Sequence, residues 1–328
     1  MADNNQRHTL QIMNHLYQVI LARHATVASN AELVEMLKAN MKSTQQQLSP
    51  ALEKVMLELP RNEFIPAAHM DEAFDDGPVR VTEMNFNISA PHMHAQCMEA
   101  LELKEGMLFL DVGTGCGILT AMGAVFVGAS GLSLGIDIRQ DIIDFASANI
   151  ERIKKRIAAE SENGKGDNGS AYLAALEAVR LERRNVFLMD PEERKFDRIH
   201  VGACCPREHV KDLLMLLKPD GILVTPCVSD LLRIRKDSSG KITEEVLVSV
   251  RYGDLQIPSE AEIVASRLAF ERRRTLALPP ISTMQTDLEK IPNPEYRSPN
   301  RLQELFLLVT SGVSTTTLTP TPTSTTPT

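Results

Sequence analysis

Alternating glycines, three carboxylates and a serine are the residues of this chain whose spacing points to chemistry. The glycines are Gly113, Gly115 and Gly117, inside LFLDVGTGCGILTA at 108–121. A buried-strand pattern precedes them and a helical pattern follows, so they form a strand-to-helix turn. Main chain stripped of side chains at such a turn can press closely against a nucleotide-like ligand. Asp111 ends the strand before the turn, placed to hold the ligand's amino end directly or through the loop. Asp137 ends the next apolar run, LSLGID at 132–137, where it can accept from both hydroxyls of a ribose. Asp190 follows a third run, NVFL at 185–188, where it can accept from an adenine amino group. A carboxylate suits each role because each partner is a donor. Upstream, Ile88-Ser89-Ala90-Pro91-His92-Met93-His94-Ala95 sets a serine and two histidines at a helix entry.

The glycine spacing selects the ligand. A nicotinamide-dinucleotide turn needs a glycine three positions after the second, and that position here is Ile118. The Gly-x-Gly-x-Gly form after a strand, with an acid closing the next strand, is the S-adenosylmethionine pattern.

These residues need a scaffold that carries them at strand ends. MLFLDV, LSLGID, NVFL, RIHVGA (198–203) and GILVTP (221–226) read as buried strands. Helical patterns at 117–127, 139–158 and 207–217 alternate with them. That alternation predicts an α/β fold with a doubly wound sheet. LLRIRK and EEVLVSVRYG flank Ser238-Ser239-Gly240 and predict an antiparallel hairpin at the sheet edge. Helices are expected at 6–24, 30–42 (capped by Asn30), from Ser49-Pro50 to Leu59, and at 91–103. Residues 60–87 read as an irregular cover. SENGKGDNGS (161–170) reads as a solvent-exposed insertion leading to an alanine-rich helix that ends near 183. The predicted organisation is N-terminal helices at 1–59, a catalytic domain at 60–257 and a C-terminal extension at 258–312. A Thr/Pro tail at 313–328 is too poor in apolar groups to fold.

Composition limits the partners. The net charge of −8 speaks against general nucleic-acid binding, and Arg272-Arg273-Arg274 reads as a solvated face. Cys97, Cys116, Cys204, Cys205 and Cys227 match no zinc spacing, so no metal is expected. No run approaches the roughly 18 apolar residues of a membrane span, and MADNNQRHTLQ lacks a signal-peptide core. A cytoplasmic, monomeric protein is expected.

The sequence resembles the protein-L-isoaspartate O-methyltransferase family from about Arg61 to Glu262. ISAPHMHA is similar to the segment that precedes the family's cofactor strand, and LDVGTGCGILTA to its glycine motif. FDRIHVGACCP, LLKPDGILVTP and VSVRYGDLQIP follow in the family's order. The resemblance implies a Rossmann-like doubly wound sheet and S-adenosylmethionine as cofactor. It implies methyl transfer to the free carboxyl of isoaspartyl residues in damaged proteins, followed by closure to a succinimide. It makes Ser89 the active-site serine, with Ile88, Ala90 and His92 on the substrate. Read without the resemblance, Ser89 could instead cap the helix begun at Pro91, and His92, His94 and His200 could be packing residues. The chain departs from the family at Leu188-Met189-Asp190-Pro191, where a Gly-Asp-Gly turn is usual, and at Asn87, where threonine is common.

Other functional classes leave weaker marks in the sequence. A related group with the same domain serves as a substrate adaptor of ubiquitin ligases, and RLQELFLLV (301–309) loosely resembles its elongin-binding helix through Leu302, Leu305, Phe306 and Val309. Methylation of RNA fits poorly with 4% aromatic residues and no tryptophan. Gly202-Ala203-Cys204-Cys205 lacks the tetrapeptide used to methylate base amino groups.

Overall fold

The computed structural model describes residues 27–43, 47–162 and 169–276. The helix expected at 6–24, the adaptor-like segment at 301–309 and the Thr/Pro tail lie outside them. The chain divides into two units, Met1–Ile257 and Pro258–Thr328.

Among the described residues, the first helices of the first unit are α1 (Asn30–Ser43) and α2 (Pro50–Glu58). Leu33, Val34, Leu37 and Met41 bury one face of α1, the period-3.6 stripe of an amphipathic helix. Ser29, not Asn30, caps it: the Ser29 hydroxyl accepts from Glu32 N at 3.3 Å. Asn30 instead donates to Met56 O at 2.9 Å and accepts from Arg61 N at 3.0 Å. Ser49 caps α2 as expected, accepting from Leu52 N at 3.2 Å. The next stretch, expected to be irregular, carries two short 3-10 turns and an antiparallel hairpin, β1 (Val79–Val81) and β2 (Phe86–Ile88). Strands of three residues are too short to leave a periodic signal.

Then follow α3 (Pro91–Leu101), β3 (Leu108–Val112), α4 (Ile118–Val127), β4 (Leu132–Asp137), α5 (Gln140–Glu162), α6 (Gly169–Glu177) and β5 (Val179–Arg183). β6 (Phe196–Val201), α7 (Val210–Met215), β7 (Leu217–Cys227), β8 (Asp230–Lys236) and β9 (Ile242–Ser249) complete the unit. The seven-stranded sheet has the order β5-β4-β3-β6-β7-β8-β9. Pairing is parallel from β5 to β7 and antiparallel from β7 to β9. The doubly wound α/β fold and its edge hairpin are as expected. Phe109, Met122, Leu101 and Ile153 share one apolar cluster with Leu37 and Leu52, so the N-terminal helices complete the core on one sheet face. Leu110, Phe196, Ile199 and Leu213 fill the other.

NVFL is not a strand: Val186–Leu188 is a 3-10 turn, and the edge strand is Val179–Arg183, which the alanine-rich pattern assigned to a helix. The β5 burial pattern is mostly intermediate, as an edge strand beside one neighbour allows, so it lacks the apolar run that marks an interior strand. In the second unit, Ser259 and Glu262 form a reciprocal capping box at the start of α8 (Glu260–Thr275). The Ser-x-x-Glu spacing was legible in the extension whose structure the sequence left unassigned.

Candidate active site

The sheet order reverses between β3 and β6, and ligands of doubly wound folds bind beyond the carboxyl ends of the strands at such a point. The turn after β3 opens there. Gly113 N and Thr114 N both donate to Ile136 O, at 2.8 and 3.0 Å, which hooks the turn onto β4. Gly113, Gly115 and Gly117 have φ of +76°, +55° and +87°, a region that side chains other than glycine rarely adopt. At Gly117 a Cβ would lie 3.2 Å from Ala146 Cβ, so this glycine lets α4 and α5 close together. At Gly115 the nearest neighbour of an added Cβ is the Phe86 ring, 3.7 Å away. The β1–β2 hairpin therefore stands over the turn, steadied by Arg139, which donates to Met84 O at 2.7 Å. Gly202, at the end of β6, is a further requirement: a Cβ there would come within 3.0 Å of Gly113 O. The signal for it was a glycine closing the strand beside the loop-bearing one.

The three acids meet different fates. Asp137 ends β4 half-buried, with Oδ1 accepting from Arg139 N at 3.1 Å. Burial pushes its pKa up, against the pull of nearby backbone N–H groups. A carboxylate offers about four acceptor sites, so Asp137 retains capacity for hydroxyl donors. Asp111 is almost fully buried, 1% exposed. Its oxygens are engaged, Oδ1 with His200 Nδ1 at 2.8 Å and Oδ2 with the Thr120 hydroxyl at 2.5 Å. Thr120 in turn meets the Thr114 hydroxyl at 2.7 Å. Asp111 thus acts on the glycine turn through Thr120 and Thr114. Asp111 and His200 face each other across the β3–β6 pair. Burial alone would lower the His200 pKa, but Asp111 and the Cys97 sulfur outweigh it and push it up to about 10. Asp190 does not follow a strand. It sits beyond the 3-10 turn, where Oδ1 accepts from Glu192 N at 3.0 Å. Asn185 occupies the place just past β5, donating to Gln256 O at 3.0 Å and accepting from Phe187 N at 3.0 Å.

Ser89 lies at the end of β2, before the Ala90 N-cap of α3, and that cap makes no side-chain hydrogen bond. Capping is done by Asp76, whose Oδ1 accepts from His92 N at 3.0 Å and meets His92 Nδ1 at 2.8 Å. The serine hydroxyl is thereby left for other work. Its segment is held by Arg61, a buried cation donating to Ser89 O at 2.8 Å and Gly77 O at 3.0 Å. Burial lowers the Arg61 pKa to about 10, so the guanidinium is charged at neutral pH. Tyr252 lies near the Ser89 side chain; burial pushes the tyrosine pKa up to about 12, outweighing the lowering effect of the serine. Arg61, Asp76 and Tyr252 were not singled out from sequence, because each is far from Ser89 along the chain. Ile88 and Ala90 are buried as whole residues, 2% and 4% exposed, with Ile88 paired to Val79 and Ala90 O accepting from Met93 N and His94 N. The His92 side chain is 29% exposed. His94 is buried, and burial holds its pKa well below the usual value, so it stays neutral. Asp76→Ala is expected to cost about 1–2 kcal/mol of stability by removing a buried cap, read as a lower urea midpoint. An unchanged midpoint would contradict the capping role.

Bare main chain at Gly113 and Gly115 beside a half-buried acceptor at Asp137 fits S-adenosylmethionine, a nucleoside with ribose hydroxyls and a methionine arm.

Comparison with known proteins agrees with that fit. Residues 28–258 match the protein-L-isoaspartate(D-aspartate) O-methyltransferase (PCMT) family. Protein-L-isoaspartate O-methyltransferase 1 of Arabidopsis thaliana is 33% identical over 238 residues, 70% of this chain and 91% of its own length. A relative from Archaeoglobus fulgidus, protein-L-isoaspartate O-methyltransferase 2, is 32% identical over 64% of this chain and 86% of its own. Among solved structures, a Plasmodium falciparum protein described as a putative protein-L-isoaspartate O-methyltransferase in complex with S-adenosyl-L-homocysteine superposes with a TM-score of 0.56. It is 25% identical, with 70% of this chain and 99% of that one covered. A glycine turn at the switch point, the serine rim beside it and a match that spans both establish that this chain belongs to the protein-L-isoaspartate O-methyltransferase family.

Proposed function

We propose that this protein transfers a methyl group from S-adenosylmethionine to the free α-carboxylate of L-isoaspartyl residues in damaged polypeptides. The ester then closes to a succinimide that reopens in part to normal aspartate. The observation that carries this reading is the extent of the family match: it spans every element that builds the crevice, from the Arg61 anchor to Tyr252.

When bound, S-adenosylmethionine supplies an electrophilic methyl on a sulfonium centre. Gly113, Gly115 and Asp137 hold it, and Asp111 braces the turn from behind. The acceptor carboxylate is ionised at pH 7 and needs no base. Because opposite charges annihilate during transfer, a water-poor pocket and fixed alignment favour the step. Ser89 donates a hydrogen bond that orients the carboxylate. Tyr252, protonated at neutral pH, stands near the serine, and Arg61 fixes the serine main chain. Asp190 caps its own turn, so the adenine contact falls to the Asn185 region. The same reading makes the protein a cytoplasmic monomer. Five unpaired cysteines support a reducing compartment, and among the described residues no helix is long and apolar enough to cross a membrane.

Ser89→Ala is expected to lower kcat/KM on an isoaspartyl peptide about 100-fold, as losing one oriented donor does in comparable sites. S-adenosylhomocysteine affinity is expected to change little. Full turnover in the variant would remove Ser89 from the mechanism. Peptide mapping after prolonged incubation is expected to show isoaspartate converted to aspartate.

A further inference from the structure

We propose that Val228 is a specificity-determining contact: its side chain receives an apolar residue next to the isoaspartyl residue of the substrate polypeptide. This rests on the function proposed above.

Val228 and Ser229 form the two-residue turn between β7 and β8, closed by the Cys227–Asp230 pair. Val228 has φ of +57°. Glycine, asparagine and aspartate supply positive φ in such turns, whereas a β-branched residue there is a true outlier. Burial does not compensate, because Val228 is 79% exposed, the most exposed large apolar side chain among the described residues. The chain thus carries both backbone strain and a bare aliphatic group where glycine would relieve the strain. Strain of this kind is retained where function uses it.

The place supports a substrate contact. The turn lies at the carboxyl end of β7, beside β6 and Gly202. Val228 O accepts from Cys204 Sγ at 3.6 Å, and Ser229 O accepts from Val250 N at 2.7 Å. Cys204 N donates to Gly253 O at 2.7 Å. Tyr252, between Val250 and Gly253, lies near the Ser89 side chain. The valine therefore stands on the strand-end rim that carries the serine. The acceptor is one residue within a polypeptide, so its neighbours must cross that rim, and an exposed aliphatic group favours an apolar neighbour.

The test compares the full-length enzyme with Val228→Gly on two isoaspartyl peptides, one with leucine and one with glycine flanking the isoaspartate on both sides. The variant is expected to melt about 2 °C higher through relief of strain. It is expected to lose about tenfold in kcat/KM on the leucine peptide, the size of one buried aliphatic contact, and to stay within about twofold on the glycine peptide. Val228→Asn, which tolerates this backbone, is expected to show the same loss. An unchanged leucine preference, or a lower melting temperature in Val228→Gly, would overturn the proposal while leaving the proposed function standing. Wild-type enzyme that methylates neither peptide would overturn both.

Discussion

Gly115→Val is expected to weaken S-adenosylhomocysteine binding at least about 100-fold, roughly 2.8 kcal/mol, in a protein that still folds. Gly115 sits at φ +55°, where valine is strained by about 1–2 kcal/mol. The turn can escape only by moving the main chain that would line the cofactor. A Cβ at 115 already reaches van der Waals distance of the Phe86 ring, 3.7 Å, so the γ-methyls must displace the β1–β2 hairpin or enter the crevice. Gly77→Ala is the matched control, since a Cβ there meets nothing within 4 Å. It should leave binding unchanged. Calorimetry on both variants checks this, and Gly115→Val binding as tightly as wild type would contradict the assigned crevice.

The largest effect on stability is expected from Asp111→Ala, about 3–5 kcal/mol, the cost of leaving a buried partner charge uncompensated. The variant strands His200 and frees the Thr120–Thr114 pair that braces the glycine turn. The pH dependence gives a second signature. The folded-state pKa of His200 is raised from 6.5 to about 10. The stability gained from its protonation is complete below pH 6.5 and is lost as pH rises through about 10. Wild-type protein should therefore lose stability across that alkaline window, and His200→Gln should lose less of it. Urea midpoints at neutral and alkaline pH measure the difference. Parallel alkaline declines in both proteins would place the Asp111–His200 pair outside the stability account.

The sequence reveals the site where chemistry is local and hides it where chemistry is tertiary. Gly113, Gly115, Gly117 and Asp137 were legible because a tight turn and a strand end leave marks within a few residues. Asp111 was legible with two routes open, direct or through the loop, but its partner was not, since His200 lies 89 positions away and meets it only across paired strands. The same holds for Arg61 and Asp76, which hold the Ser89 segment from other parts of the chain. Asp190 was misplaced because Val186–Leu188 is apolar yet packs as a 3-10 turn, while the edge strand at Val179–Arg183 alternates with charged residues. Periodicity reports burial, and an edge strand buries too little to announce itself.

Tritiated methyl transfer from S-adenosylmethionine to a peptide pair that differs only in one isoaspartyl or aspartyl linkage reads out the proposed reaction itself. Base-labile label is expected on the isoaspartyl peptide alone. Label on both peptides, or on neither when calorimetry shows the cofactor bound, would contradict it.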